Sequence, residues 1–404
     1  MNELAPAPVS VSERDKRIGS SRYPGPLWLV LPVLLLALAS ALLLSSDLFR
    51  SFERGAPPVE KLTFERTVLD QGGIHVRVRA GGSAPMTIAQ VQVDEAYWKF
   101  TQDPVGDLGR VASAWLHIPY PWIPGEAHKV KVLTNLGSAF EHEIAVAVAT
   151  PKPSTDELGP QALLGAFVGI LPVALGLMLY PVLRRLGRGG MSFLLALTVG
   201  LLAFLFVDTV EEGLELAGEA APAFQGHVMV IVVALMTFLV LLGIGRRHGI
   251  PTGLALATYI ALGIGLHNLG EGLAIGAAFA AGTAGLGAFL VLGFTLHNIT
   301  EGIGIAAPLL RARPPLKSFV GLALLAGAPA IIGMWLGSLA VSPHWAALAL
   351  AVGAGAILQV MVEVAAYLTR TGGGKASVLV SPAAIGGIAL GITVMFATGM
   401  LVKV

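Results

Sequence analysis

The sequence predicts an α-helical polytopic membrane protein that carries an extracytoplasmic all-β sandwich-like domain. Three observations predict it. Hydrophobic residues make up 55% of the 404 and charged residues only 13%, against roughly 25% charge in ordinary soluble domains. Apolar runs of about twenty residues, the length a helix needs to cross a bilayer, recur from residue 161 to residue 402. Between residues 50 and 155 the pattern changes to short alternating runs punctuated by turn residues, as half-buried strands require.

Residues 1–26 are polar, with Arg14, Lys16, Arg17 and Arg22, and read as a disordered cytoplasmic tail. Residues 27–46 follow as an almost unbroken apolar run. At about eighteen residues its core is long for a cleaved signal peptide and suits an uncleaved membrane anchor. Residues 50–155 form the β domain. Alternation over 74–79, 86–93, 129–132 and 143–148 predicts strands, and Gln71-Gly72-Gly73, Gly81-Gly82, Asp103-Pro104, Pro124-Gly125 and Asn135-Leu136-Gly137 supply the turns. Short strands at this spacing predict a small immunoglobulin-like sandwich. Its four histidines, His75, His117, His128 and His142, are placed to capture metal. They follow no ligand spacing and read as ordinary surface histidines.

After a linker, residues 160–404 hold eight apolar spans, near 161–183, 191–217, 226–245, 252–280, 284–310, 317–340, 344–369 and 379–402. Basic residues mark alternate loops: Arg184, Arg185 and Arg188; Arg246 and Arg247; Arg311, Arg313 and Lys317; Arg370 and Lys375. The other loops contain no Lys or Arg. With basic loops inside, the N-terminus is cytoplasmic, and the β domain and C-terminus are extracytoplasmic in a plasma (inner) membrane. The net charge of +1 and the lack of a basic stripe give no sign of nucleic-acid binding. With no cysteine, any metal must be held by His and carboxylates.

The fourth and fifth spans carry one phrase twice, His267-Asn268-Leu269-Gly270-Glu271-Gly272 and His297-Asn298-Ile299-Thr300-Glu301-Gly302, thirty residues apart. A His and a Glu four apart lie on one helix face, one turn above each other. Two such helices side by side bring two imidazoles and two carboxylates to one point, an N/O set that suits zinc and similar divalent ions. Ionisable groups inside membrane spans mark functional sites, and apolar spans are more often glued by Ser, Thr or Asn than by a repeated His/Glu pair.

This pair of phrases resembles the signature of the ZIP (Zrt/Irt-like) family of divalent metal transporters, whose fourth and fifth helices carry H-N-x-x-E-G-like motifs. The resemblance covers the two motif helices closely and residues 161–404 in span pattern. It implies an eight-helix ZIP-like bundle, homodimeric and bathed in membrane lipid, that imports Zn²⁺ or another divalent cation (Fe²⁺, Mn²⁺, Cd²⁺) as transported substrate. No cofactor and no enzymatic activity are implied. His267, Glu271, His297 and Glu301 are then the primary metal ligands, and Asn268 and Asn298 help hold a second ion.

Family members often place a proline before the Glu. Gly270 and Thr300 stand there in this chain, so any helix break must come from glycine flexibility. The family's extended loop after the third helix shrinks here to 245–249, which leaves no loop-borne metal sensor. In the sixth span the family's glutamate before a proline corresponds to Ala328-Pro329, and residues 317–340 contain no carboxylate. A second ion close to the first would lean on neutral amides, which offset little of the repulsion between two dications. The expectation is one tightly held metal per protomer.

Two further acidic features bear on transport. Asp208, Glu211, Glu212 and Glu215 share about a 100° arc of the second span, either as a cation funnel at the outer mouth or as a helix end in water. Glu363 lies mid-span in the seventh and resembles an acidic residue the family places near its metal path. The alternative function is an intramembrane metal-dependent enzyme, but H-E-x-x-H is absent. A phosphate-cradling G-x-x-x-x-G-K-[ST] loop is absent too, so direct use of ATP is not expected.

Overall fold

A computed structural model describes residues 27–45, 58–150, 155–247, 249–280, 284–310, 314–339, 342–374 and 376–402. The expected cytoplasmic tail lies outside the described residues, as do His248 and the loop cations Arg311, Arg313 and Lys375. The chain divides into two compact units, Met1–Pro58 and Val59–Val404. In the first, α1 (Leu27–Ser45) is a 19-residue helix with Pro32 inside it. It is apolar on all sides, as a helix surrounded by lipid or core must be.

The second unit begins with the β domain. Its strands are β1 (Leu62–Asp70), β2 (Gly73–Ala80), β3 (Ile88–Val93), β4 (Ala96–Trp98), β5 (Thr101–Asp103), β6 (Ser113–Ile118), β7 (His128–Thr134) and β8 (Ala139–Ile144). They form two four-stranded sheets, ordered β1-β2-β6-β5 and β4-β3-β7-β8, and every pairing is antiparallel. Alternate residues of both sheets point into one core: Val76 and Val78, Leu116 and Ile118 from the first, Val91 and Val93, Val130 and Val132 from the second. Period-2 alternation puts the intervening residues on the outer faces.

Two strand expectations need correction. β1, β4, β5 and β6 are strands that the alternation did not mark, β4 and β5 being three residues each. In β1 a register shift between Phe64 and Arg66 breaks the period, and in β6 the outward positions hold Trp115 and His117, which mask the polar half of the pattern. The run expected over 143–148 is strand only at its start, since β8 ends at Ile144. Ala147 instead exchanges backbone hydrogen bonds with Gly125 and Glu126, at 2.8 Å each, which takes the chain off the β7 ladder.

Among the described residues, eight helices follow that are long and apolar enough to cross a membrane. They are α2 (Leu158–Leu183), α3 (Arg188–Glu219), α4 (Gly226–Arg246), α5 (Gly253–Ala280), α6 (Ala284–Ala306), α7 (Leu316–Ser338), α8 (Pro343–Thr371) and α9 (Pro382–Val402). The eight expected spans agree with these to within a few residues. The motif helices are not the longest, however: α3 has 32 residues. Start and stop signals account for several ends. Pro343 opens α8, where its missing N–H costs nothing, and Gly372, Gly373 and Gly374 close it, the last two at positive φ.

The breaks fall elsewhere than the motif. α5 and α6 run unbroken through Gly270 and Thr300. α2 passes through a π-helical turn at Ala166–Ile170 just before Pro172, and α7 is interrupted at Ala328 just before Pro329. Each broken helix packs on a motif helix. A Cβ on Gly272 of α5 would lie 2.1 Å from the Ala330 carbonyl of α7, and one on Gly302 of α6 would lie 2.3 Å from the Val173 carbonyl of α2. The final glycine of each phrase is thus a point of backbone contact, which no larger residue permits.

The β domain meets the bundle at the α3–α4 connection and the start of α8. Glu65, with its side chain almost wholly buried, is ion-paired with Arg79. His344 Nδ1 lies 3.9 Å from the same carboxylate. Phe224 stacks on the His344 ring at 4.6 Å and receives the Arg79 guanidinium over its face at 5.5 Å.

Candidate metal centre

The site lies where α5 and α6 face each other. His267 and Glu271 stand one turn apart on α5, His297 and Glu301 one turn apart on α6, and all four are at least 95% buried. Glu271 Oε1 receives His267 Nε2 at 3.1 Å and His297 Nε2 at 2.6 Å. Its other oxygen, Oε2, receives Asn298 Nδ2 at 3.1 Å. Glu271 is therefore the hub that joins the two phrases.

Glu301 is placed differently. Among the described residues neither of its oxygens has a donor in hydrogen-bond geometry, although the Asn268 amide lies beside it, and the side-chain oxygens of Asn268 and Asn298 are likewise without one. Leaving a carboxylate buried and unsatisfied is costly unless another charge compensates it. Glu301, His267 and His297 can each offer a ligand atom within 4.8 Å of the others. Two neutral imidazoles and carboxylate oxygens match the donors that borderline divalent cations prefer. The residues fit such an ion: a dication among them would satisfy Glu301 and balance the two glutamates.

The asparagines act through the broken helices. Asn298 Nδ2 also donates to the Val168 carbonyl at 3.1 Å, four residues before Pro172, which has no N–H to give it. Asn268 Nδ2 donates to the Ala326 carbonyl at 3.0 Å, three residues before Pro329. Each motif asparagine thus ties its helix to a proline-broken neighbour, and its side-chain oxygen is buried without a partner among the described residues.

Access differs on the two sides. A cavity of about 20 Å³ is lined by Asp208, Thr209 and Glu212 of α3 together with His267, Glu271 and Gly353. Beyond Leu205, which also lines this cavity, Leu201, Leu202 and Met395 pack around His297 and Glu301 and leave no cavity volume. Of the four α3 acids, Asp208 and Glu212 share walls with the His/Glu cluster; Glu211 and Glu215 do not line this cavity and are exposed.

Glu363 lies apart from the cluster. It is buried on α8, and its Oε1 accepts Arg246 Nε at 3.1 Å and Nη2 at 2.9 Å, with Arg370 Nη2 3.8 Å from Oε2. Ten residues of helix, about 15 Å, separate it from Gly353 beside His267. Gln359 was not singled out by sequence. It is buried on α8 with its side-chain oxygen unpartnered, 2.8 Å from where a Cβ on Gly263 would stand, one turn before His267. The signal was present: an amide four residues before Glu363 in an apolar helix, hence on the same face.

No known protein-family model matches the chain, and no curated protein is significantly similar to it.

Proposed function

We propose that the helical bundle carries divalent metal cations, Zn²⁺ foremost, across a membrane. The observation that carries this reading is Glu301, a buried carboxylate without a hydrogen-bond donor among the described residues, whose ligand atom lies within 4.8 Å of those of His267 and His297. Buried polar groups are as a rule hydrogen-bonded, and Glu301 differs from Glu363, which is also buried, in facing two imidazoles and, among the described residues, no Arg. The resemblance of the two phrases to the ZIP signature points the same way.

The direction follows from what lies at each end. The β domain touches the α3–α4 connection, and α3 carries Asp208 and Glu212 toward that end. Cations reaching this mouth meet negative charge first, and such fields concentrate them. At the opposite end Arg246 and Arg370 engage Glu363. With basic loops cytoplasmic, the path runs inward from the β-domain side. An ion enters between Asp208 and Glu212, exchanges water for His267, His297 and Glu301, and leaves when the packing around Leu201, Leu205 and Met395 rearranges. Alternate opening of the two sides makes this a carrier.

The test is metal uptake by proteoliposomes holding purified protein, with Zn²⁺, Mn²⁺, Fe²⁺ and Cd²⁺ compared in one preparation. Saturable Zn²⁺ uptake that His297→Ala abolishes is expected; equal uptake by liposomes with and without the protein overturns the reading.

A further inference from the structure

Two of the four β-domain histidines, 42 residues apart in sequence, meet on the outer face of the first sheet. His75 of β2 and His117 of β6 are register partners, so their Cβ atoms are about 4.5–5.5 Å apart. Their Nδ1 atoms approach to 2.8 Å. On its far side His75 places Nε2 2.9 Å from Asp70 Oδ1, and that oxygen is itself held by the Gly72 N–H at 2.7 Å. Trp115, two residues before His117, stacks on its ring at 6.3 Å with an interplanar angle of 16°. The other two histidines have different work. His128 is buried, with Nδ1 2.8 Å from Asp94, and His142 bonds Thr67 at 2.9 Å and stacks on Phe64.

A neutral imidazole has one N–H and one lone pair. Asp70 takes the Nε2 hydrogen of His75, so the lone pair of His75 is at Nδ1, aimed at Nδ1 of His117. Two nitrogens this close share a single hydrogen, carried by His117, and when that hydrogen moves to His117 Nε2, the other tautomer, both Nδ1 lone pairs are open to one cation. A carboxylate behind one imidazole is the arrangement that fixes the tautomer and raises the basicity of metal-binding histidines. Metal–nitrogen bonds of 2.0–2.1 Å at a tetrahedral angle need the two nitrogens about 3.3 Å apart, a small opening from the present 2.8 Å. Two imidazoles without a thiolate select borderline ions such as Zn²⁺, Cu²⁺ and Ni²⁺ over Mg²⁺ or Ca²⁺.

We propose that His75 and His117 form a divalent transition-metal site on the β domain, with Asp70 orienting His75 and water completing the coordination. The site is independent of the one in the bundle. It raises the expected content from one metal per protomer to two, at separate places.

Zinc counting and calorimetric titration on the full-length protein in detergent decide it. Wild type should hold two Zn²⁺, the His75→Ala/His117→Ala variant one, and the His297→Ala/Glu301→Ala variant one, retained on the β domain. Asp70→Asn should weaken the β-domain site about 10–100-fold. A second readout is quenching by Cu²⁺ of the fluorescence of Trp115, which should vanish in His117→Gln and in Trp115→Phe. His117→Gln keeps a polar, outward side chain, so it carries the test if the double alanine variant misfolds. Unchanged zinc count and unchanged quenching in the His117 variants would overturn the proposal. A wild-type protein that holds zinc on the β domain and none in the bundle would overturn the transport reading and leave this one standing.

Discussion

Asn298 reaches two acceptors at once, Glu271 Oε2 and the Val168 carbonyl, and so fixes the hub carboxylate against a helix that Pro172 has broken. Asn298→Ala frees both. The expected outcome is a 10–100-fold loss of Zn²⁺ affinity, in keeping with other residues that orient ligands, read by calorimetry in a His75→Ala/His117→Ala background. Glu301 has the opposite character, since among the described residues no donor reaches its oxygens in hydrogen-bond geometry, the Asn268 amide lying beside it. Glu301→Gln keeps its volume and removes its charge, and should cut uptake at least tenfold, ~1.4 kcal/mol, with insertion into the membrane unchanged. Uptake at the wild-type rate would end its assignment as a ligand. Counting zinc in the same His75→Ala/His117→Ala background tests the single-ion expectation for the bundle. A ratio near one agrees with Ala328 standing where a second site's glutamate would be, and a ratio near two refutes it.

Helices α5 and α7 touch through backbone at Gly272. Alanine there gains up to about 1 kcal/mol of helix propensity, yet its Cβ would lie 2.1 Å from the Ala330 carbonyl, and overpacking of this kind costs about 1–3 kcal/mol. Gly272→Ala should therefore lower the thermal midpoint in detergent, and a rise would show that the helices separate freely. In the β domain the β3–β4 turn is held through Asp94, which sits at φ 50°. Burial acts to raise its carboxyl. The Lys129 N–H, His128 and the Tyr120 hydroxyl outweigh that and hold it below the usual aspartate range, while burial and Asp94 push Tyr120 up to about 12. Stability from a depressed carboxyl is present above the unfolded value of about 3.9 and is lost as pH falls through the folded one. Asp94→Asn should thus lower the midpoint near neutral pH, and the difference from wild type should close in acid. The helices were legible because an apolar run of fixed length carries its own boundaries, and the repeated phrase because His and Glu stand out within such runs. Strand β6 was hidden by its outward Trp115 and His117. The meeting of His75 with His117 depends on register between strands far apart in sequence, which no local spacing encodes. Glu363 looked like a lone acid mid-span, because its partner Arg246 comes from another helix.

At the scale of the whole molecule, the β domain rests on the bundle through Glu65, Arg79, Phe224 and His344, away from the His/Glu cluster. The four His and Glu side chains of that cluster all come from α5 and α6. Deleting residues 1–155 should accordingly leave Zn²⁺ uptake in proteoliposomes, at lower apparent affinity; complete loss of flux in a well-folded truncation would make the domain integral to transport. The small size of the chamber beside Asp208 and Glu212 has a consequence for selectivity. At about 20 Å³ it holds roughly one water molecule, so no ion passes with its hydration shell intact. An ion must trade that shell for imidazole and carboxylate one ligand at a time. Mg²⁺ surrenders its water reluctantly and favours oxygen, whereas Zn²⁺ is content with four ligands including nitrogen. If the bundle carries ions as proposed, the narrowness of this chamber should disfavour Mg²⁺ by the cost of stripping it, and Mg²⁺ in large excess should leave Zn²⁺ uptake by the proteoliposomes unchanged.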